Sequence, residues 1–179
     1  SYAYQMNLNT SFTGDDNLYV RLKTGGGDGE NFANKFATYH NEETDNDGIV
    51  RVDKIWYTFP VSDKITATVG PKIENYYMLA ASPSVYKPKL LKAFRFGGHG
   101  IAFGASTSVG AGVKYVGDNG FASSITLNSK GGSTTSGILT ETDKSKINVM
   151  GAYTADNYHV SATYTTQNTG YTGGFPYYA

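Results

Sequence analysis

The chain has 179 residues, enough for one ordinary domain or for part of a larger β-structure. Its 15 basic and 15 acidic residues cancel, so net charge gives no argument for a nucleic-acid partner, and the absence of cysteine excludes disulfides and thiolate metal sites. Glycine (22) and tyrosine (15) are abundant, a composition that favours strands over helices. The longest apolar run, residues 76–81, is too short for a membrane-spanning helix.

The first half of the chain alternates between apolar and polar residues with a period of two, which predicts β-strands. Two hairpins are expected, built from strands 2–12, 18–23, 54–59 and 65–70 around turns 13–17 and 60–64. A long polar, glycine-rich loop separates the hairpins. Val50 and Val52 have the opposite parity to Ile55, which predicts a β-bulge near Asp53 or a longer strand.

The second half continues the alternation. One phase holds from residue 101 to residue 116, far longer than the five or six residues usual in soluble sheets. The remaining predicted strands are 121–130, 147–153 and 160–164, which brings the total to eight.

The predicted connections alternate between turns of a few residues and loops of a dozen residues or more. This asymmetry is typical of outer-membrane β-barrels, which have short turns at one end and long loops at the other. A two-sheet sandwich also fits the alternation, but it does not predict such regular loop lengths. We therefore predict an all-β fold, an antiparallel transmembrane β-barrel.

Aromatic residues gather on the apolar face at the short-turn ends of the predicted strands. They are Phe12, Phe59, Tyr115, Phe121, Tyr153 and Tyr158. An interfacial girdle of this kind flanks the apolar band of membrane barrels.

Two stretches resemble a known family. They are LNTSFTG at residues 8–14, followed by Arg21-Leu22, and VDKIWYTFP at residues 52–60, followed by Asp63-Lys64. Both resemble the barrel opening of cyanobacterial outer-membrane porins, which are grouped with the carbohydrate-selective (OprB-like) porins and often labelled iron uptake porins. The resemblance is specific over residues 5–70 and loose afterwards.

The resemblance implies a passive diffusion channel for small hydrophilic solutes such as sugars, inorganic ions, iron or phosphate. It implies no enzymatic activity, no cofactor, and an outer-membrane location of the Gram-negative, cyanobacteria-like type, with membrane lipid and a homotrimer as partners. Family members carry a signal peptide and an S-layer-homology domain before a barrel of about sixteen strands. We therefore expect residues 1–179 to be a partial barrel domain that contributes about eight of those strands.

Strand parity assigns an excess of basic side chains to the polar, bore-facing side. The predicted pore-lining residues are Arg21, Lys23, Lys54, Lys72, Lys114, Lys130 and Lys146, together with Glu74, the one acid that strand parity clearly assigns to this side. Such a bore should favour small anions and still pass neutral sugars. The alternative is that these lysines simply solvate a polar face.

The segment 75–100 is both aromatic and basic, a composition poorly suited to an external loop. Its prominent side chains are Tyr76, Tyr77, Tyr86, Lys87, Lys89, Lys92, Phe94 and Arg95. We expect it to fold into the barrel as a constriction, with room left by the small residues at even positions 104–112 of the next strand. Packing over the rim, or against a trimer partner, is the alternative.

Other candidate sites are weak. Residues 43–48 resemble the start of a calcium loop, but Lys54 stands where a bidentate glutamate is needed, so a solvated acidic loop is the preferred interpretation. His40, His99 and His159 have no nucleophile or carboxylate at recognisable spacing. The alternative functions are a soluble carbohydrate-binding β-protein and a small closed structural or adhesive outer-membrane barrel, whose first and last strands would pair.

Overall fold

A computed structural model describes residues 2–26, 46–81, 107–131, 137–140 and 143–168. These residues form eight strands: β1 (Tyr2–Thr10), β2 (Asn17–Gly26), β3 (Arg51–Ser62), β4 (Ile65–Glu74), β5 (Thr107–Val116), β6 (Phe121–Ser129), β7 (Ser145–Thr154) and β8 (His159–Gln167). One short 3₁₀ helix, Asn75–Met78, follows β4. No helix within the described ranges is long and apolar enough to cross a membrane.

The eight strands form a single antiparallel sheet in the order β1 to β8, each strand hydrogen-bonded to its neighbours in sequence. The prediction of an all-β, antiparallel fold is confirmed. Within the described residues β1 pairs only with β2 and β8 only with β7, so this sheet is not closed.

Short and long connections alternate along the sheet. Connections 11–16, 63–64, 117–120 and 155–158 are the short ones, and 27–50, 75–106 and 130–144 are the long ones. Because successive strands run antiparallel, the short connections join the strands at one end of the sheet and the long connections join them at the opposite end. These two ends are called the short-connection end and the long-connection end below.

Bulges adjust the predicted register in β3. Arg21 lies opposite Lys54 while Leu22 lies opposite Val52, so Asp53 is the extra residue and the predicted bulge is confirmed. The predicted turn from residue 60 is wrong, since β3 continues through Pro60 to Ser62. A second irregularity between those two residues interrupts the ladder there, which is where a strand tolerates proline.

A further bulge near the end of β4 changes which residues face which side. Gly70 pairs with Gly110 but Ile73 pairs with Ser108, so β4 carries one extra residue at 71–72. Ile73 thereby joins the side of Ser108 and is fully buried, while Lys72 lies opposite Ile55. The first six residues of the predicted strand 101–116 lie outside the described residues.

Asp16 fixes the short connection between β1 and β2. Its carboxylate accepts hydrogen bonds from the Ser11 hydroxyl at 2.5 Å, the Thr13 amide at 2.9 Å and the Tyr57 hydroxyl of β3 at 2.5 Å. These bonds, first that from Ser11, hold the pKa of Asp16 far below the usual carboxyl range. The connection is therefore closed by bonds within itself and tied to β3.

We predict that Asp16→Asn lowers the thermal unfolding midpoint at pH 7, because the charged acceptor of these bonds is lost. A depressed folded-state pKa contributes stability above the ordinary carboxyl pKa of about 4, and this contribution is lost as pH falls further. The midpoint of the parent chain should thus fall between about pH 4 and pH 2, more steeply than that of Asp16→Asn. Circular dichroism measures the unfolding midpoints of the parent chain and of Asp16→Asn. Asp15→Asn, which changes the exposed neighbouring acid, is the control. Equal effects of the two substitutions would contradict the role given to the Asp16 carboxylate.

Candidate functional site

The two faces of the sheet have opposite chemistry. Residues directly paired across strands share a face, so the register defines one row of Ala67, Val113, Ile125, Val149 and Tyr164. The adjacent row, one residue along each strand, is Thr68, Gly112, Thr126, Asn148 and Thr165. The sides of these rows are called the apolar face and the polar face.

Burial is the reverse of what a soluble protein shows. On the apolar face Ile125, Val149 and Tyr164 are 55%, 46% and 71% exposed. On the polar face Thr126 and Asn148 are 1% and 0% exposed. Large apolar side chains normally lie inside and polar ones outside, so this sheet is inverted.

Aromatic side chains contact one another at the short-connection end. The ring pairs and their centroid separations are Phe12–Tyr57 at 6.1 Å, Tyr57–Phe59 at 5.4 Å, Tyr115–Phe121 at 6.2 Å and Tyr153–Tyr158 at 6.0 Å. All six aromatic residues singled out in the sequence take part, and Tyr57 joins them. They form a band along that edge of the sheet.

Several buried polar atoms on the polar face have no hydrogen-bond partner within the described chain. Both amide atoms of Asn128 are in this state, as are Thr126 Oγ1 and Asn148 Nδ2. A buried polar group without a partner costs about 1–3 kcal/mol. This face is therefore suited to water or a polar solute and poorly suited to a dry core.

The chain after β4 lies on the polar face. Met78 contacts Trp56 and Ile73, and Leu79 contacts Met150 and Ala152 of β7. The Ala80 amide donates a hydrogen bond to Ser124 Oγ of β6 at 3.0 Å. Residues 75–81, called the inward segment below, therefore reach across the strands from β3 to β7.

An aromatic stack attaches the inward segment to β2 and β3. Tyr19 and Trp56 have ring centroids 4.3 Å apart, Trp56 and Tyr77 4.8 Å, and Tyr77 and Tyr76 4.6 Å. The Lys54 ammonium lies 5.9 Å from the centre of the Tyr77 ring. The segment is thus held by ring packing as well as by its own backbone.

Charged residues pair next to this stack. Lys54 and Glu74, both buried, form an ion pair between β3 and β4. Arg21 pairs with Asp53, the bulge residue, through Nε and the guanidinium edge. The bulge therefore turns an acid onto the polar face that strand parity alone did not assign there.

The structure places the predicted pore-lining residues in three groups. Lys54, Glu74 and Lys146 are buried; Arg21, Lys23, Lys114 and Lys130 are half-buried; Lys72 is exposed. Lys72 was predicted to face the bore, but the β4 bulge places it opposite Ile55. Its Nζ donates to the Val52 carbonyl at 2.7 Å.

Of the predicted constriction residues, Tyr76 and Tyr77 belong to the inward segment. Tyr86, Lys87, Lys89, Lys92, Phe94 and Arg95 lie outside the described residues. The same holds for His40, His99 and residues 43–45 of the acidic loop 43–48. In the described part of that loop, residues 46–48, Asn46 accepts a hydrogen bond from the Gly25 amide and donates one to the Ile49 carbonyl. The described residues hold no cluster of three or more potential metal ligands.

Sequence reasoning missed the apolar side chains of the polar face against which the inward segment packs. Trp56, Met150 and Ala152 have the parity of the polar face, and each is at least nine-tenths buried. Their apolar character at polar positions was the available signal. Gly112 also has a specific role, because a Cβ there would lie 3.0 Å from the Met78 Cβ.

Comparisons with protein-family models, with curated protein sequences and with solved structures give no match for this chain. The functional argument therefore depends on the geometry of the sheet.

We predict that Gly112→Val displaces the inward segment, because the added side chain would overlap Met78. Overpacking of this kind costs about 1–3 kcal/mol. Trp56 is the single tryptophan and stacks on Tyr77, so its fluorescence should become more accessible to acrylamide quenching. Gly151→Val is the matched control, since a Cβ at Gly151 meets nothing within 4 Å. Identical quenching in the two variants would refute this packing.

Proposed function

We propose that the chain forms part of the wall of an outer-membrane β-barrel porin of the cyanobacterial carbohydrate-selective or iron uptake type. In this proposal it is a passive diffusion channel for small hydrophilic solutes and has no enzymatic activity. The observation that carries the proposal is the inverted sheet, with exposed Ile125 and Val149 on one face and buried Thr126 and Asn148 on the other.

Lipid on one side and water on the other would solvate both faces. Transfer of one large aliphatic side chain out of water is worth about 1.5–3 kcal/mol, and the apolar row crosses the strands from β4 to β8. Water in a bore would supply partners for Asn128 and Thr126. Strands β2 to β7 have a hydrogen-bonded neighbour on each side, so the sheet ladder satisfies their backbone groups, as a membrane requires.

Four further features support a porin. The aromatic band at the short-connection end fits an interfacial girdle, and the alternation of short and long connections fits periplasmic turns and external loops. The inward segment fits a constriction, because it leaves β4 and crosses the polar face. The open edges at β1 and β8 fit a section of a larger barrel of about sixteen strands.

The two alternatives have less support. A soluble carbohydrate-binding protein would leave the apolar row in water, and a small closed barrel would pair β1 with β8, which the described strands do not do. A homotrimeric assembly is supported only by the sequence resemblance.

The proposal predicts discrete conductance steps when the protein is added to a planar lipid bilayer. The half-buried Arg21 and Lys114 belong to the polar face, opposite Asn7 and Ser124 respectively, and should favour anions. Reversal potentials across a potassium chloride gradient should show chloride preference, decreasing at high salt as the Debye length shortens to about 3 Å near 1 M.

The double variant Arg21→Glu, Lys114→Glu should shift selectivity toward potassium. Lys64→Glu is the control, since Lys64 lies in a short connection and pairs with Asp118. Absence of conductance steps would argue against a channel. A channel whose selectivity responds equally to the control would place Arg21 and Lys114 away from the bore.

A further inference from the structure

A cavity of about 540 Å³ lies at the long-connection end of the sheet. Its walls come from the start of β3 and β5 and from the end of β2, β4 and β6. Pro71 and Lys72, where β4 carries its extra residue, belong to the lining. A volume of this size accommodates a small solute together with some of its water.

The cavity lining is strongly basic. It includes Lys23, Arg51, Lys72 and Lys130, against a single acid, Asp53. That acid is already paired with Arg21, which lies outside the lining. The positive charge of the lining therefore exceeds what its own carboxylate can offset, although the chain as a whole is neutral.

A buried hydroxyl in the same cavity lacks a hydrogen-bond partner within the described chain. Ser108 is 7% exposed, it lines the cavity, and its Oγ makes no hydrogen bond. The other lining serine, Ser129, donates to Asp143 at 2.7 Å. A desolvated hydroxyl beside surplus positive charge is suited to donate to an anion.

We propose that this cavity binds a small divalent oxyanion such as phosphate or sulfate. The Arg51 guanidinium provides two parallel donors for a pair of oxygens, Lys23 and Lys130 add point charges, and Ser108 adds a neutral donor. Lys72 Nζ donates one of its three N–H groups to the Val52 carbonyl and keeps its charge and two further donors. The inference deepens the proposed function, since it places a saturable site at the external mouth of the channel.

Titration calorimetry with sodium phosphate, on the chain folded in detergent at low salt, tests the site without a membrane. Arg51→Gln should weaken phosphate binding by about tenfold, the usual effect of losing a charge-assisted pair. Ser108→Ala, which changes no charge, should weaken it by about threefold. Lys64→Gln removes a lysine at the opposite end of the sheet and should leave the affinity unchanged.

Sulfate should compete with phosphate, whereas acetate at the same concentration should not. Unchanged affinity in Arg51→Gln, or an equal loss in Lys64→Gln, would overturn the site. Equal affinity for acetate would overturn the divalent preference. In bilayers, a chloride-conducting channel that shows no phosphate block would reject the placement of the site at the channel mouth and leave the porin intact. Phosphate binding without any conductance would keep the cavity site and reject its place in a channel.

Discussion

The two-residue period of the β-strand is the constraint on which this structure depends. Neighbouring residues must point to opposite faces, so a strand that alternates Val113 with Gly112, or Ile125 with Thr126, builds two different surfaces. The hydrogen-bonded register aligns these choices across the strands from β4 to β8. The result is a sheet whose apolar side is exposed and whose polar side is buried.

The polar face is not uniform, and its exceptions organise the rest of the molecule. Trp56, Met150 and Ala152 accept the inward segment, and Gly112 leaves the room that Met78 occupies. Bulges then change where side chains point: one turns Asp53 toward Arg21, and another buries Ile73 while leaving Lys72 exposed. A β-bulge re-aims side chains without ending the strand, so charge can be positioned while the ladder continues.

Much of this architecture could be predicted from the sequence, because the alternation that forms the strands also reports on their faces. The eight strands, the bulge at Asp53 and the aromatic band follow from parity and turn residues. Parity could not locate the β4 bulge, because Pro71 and Gly70 indicate an irregularity there without saying which residue is inserted. The ion pair between Lys54 and Glu74 and the stack of Trp56 on Tyr77 join distant residues, and local patterns carry no such pairing.

Quenching of tryptophan fluorescence by lipids brominated on their acyl chains tests the assignment of the faces most directly. In vesicles, the natural Trp56 on the polar face should be quenched weakly. In the variant Trp56→Phe, Ile125→Trp, the new tryptophan on the apolar face should be quenched strongly, because it would contact the hydrocarbon. Equal quenching of the two tryptophans, or stronger quenching of Trp56, would contradict a sheet with lipid on its apolar side and water on its polar side.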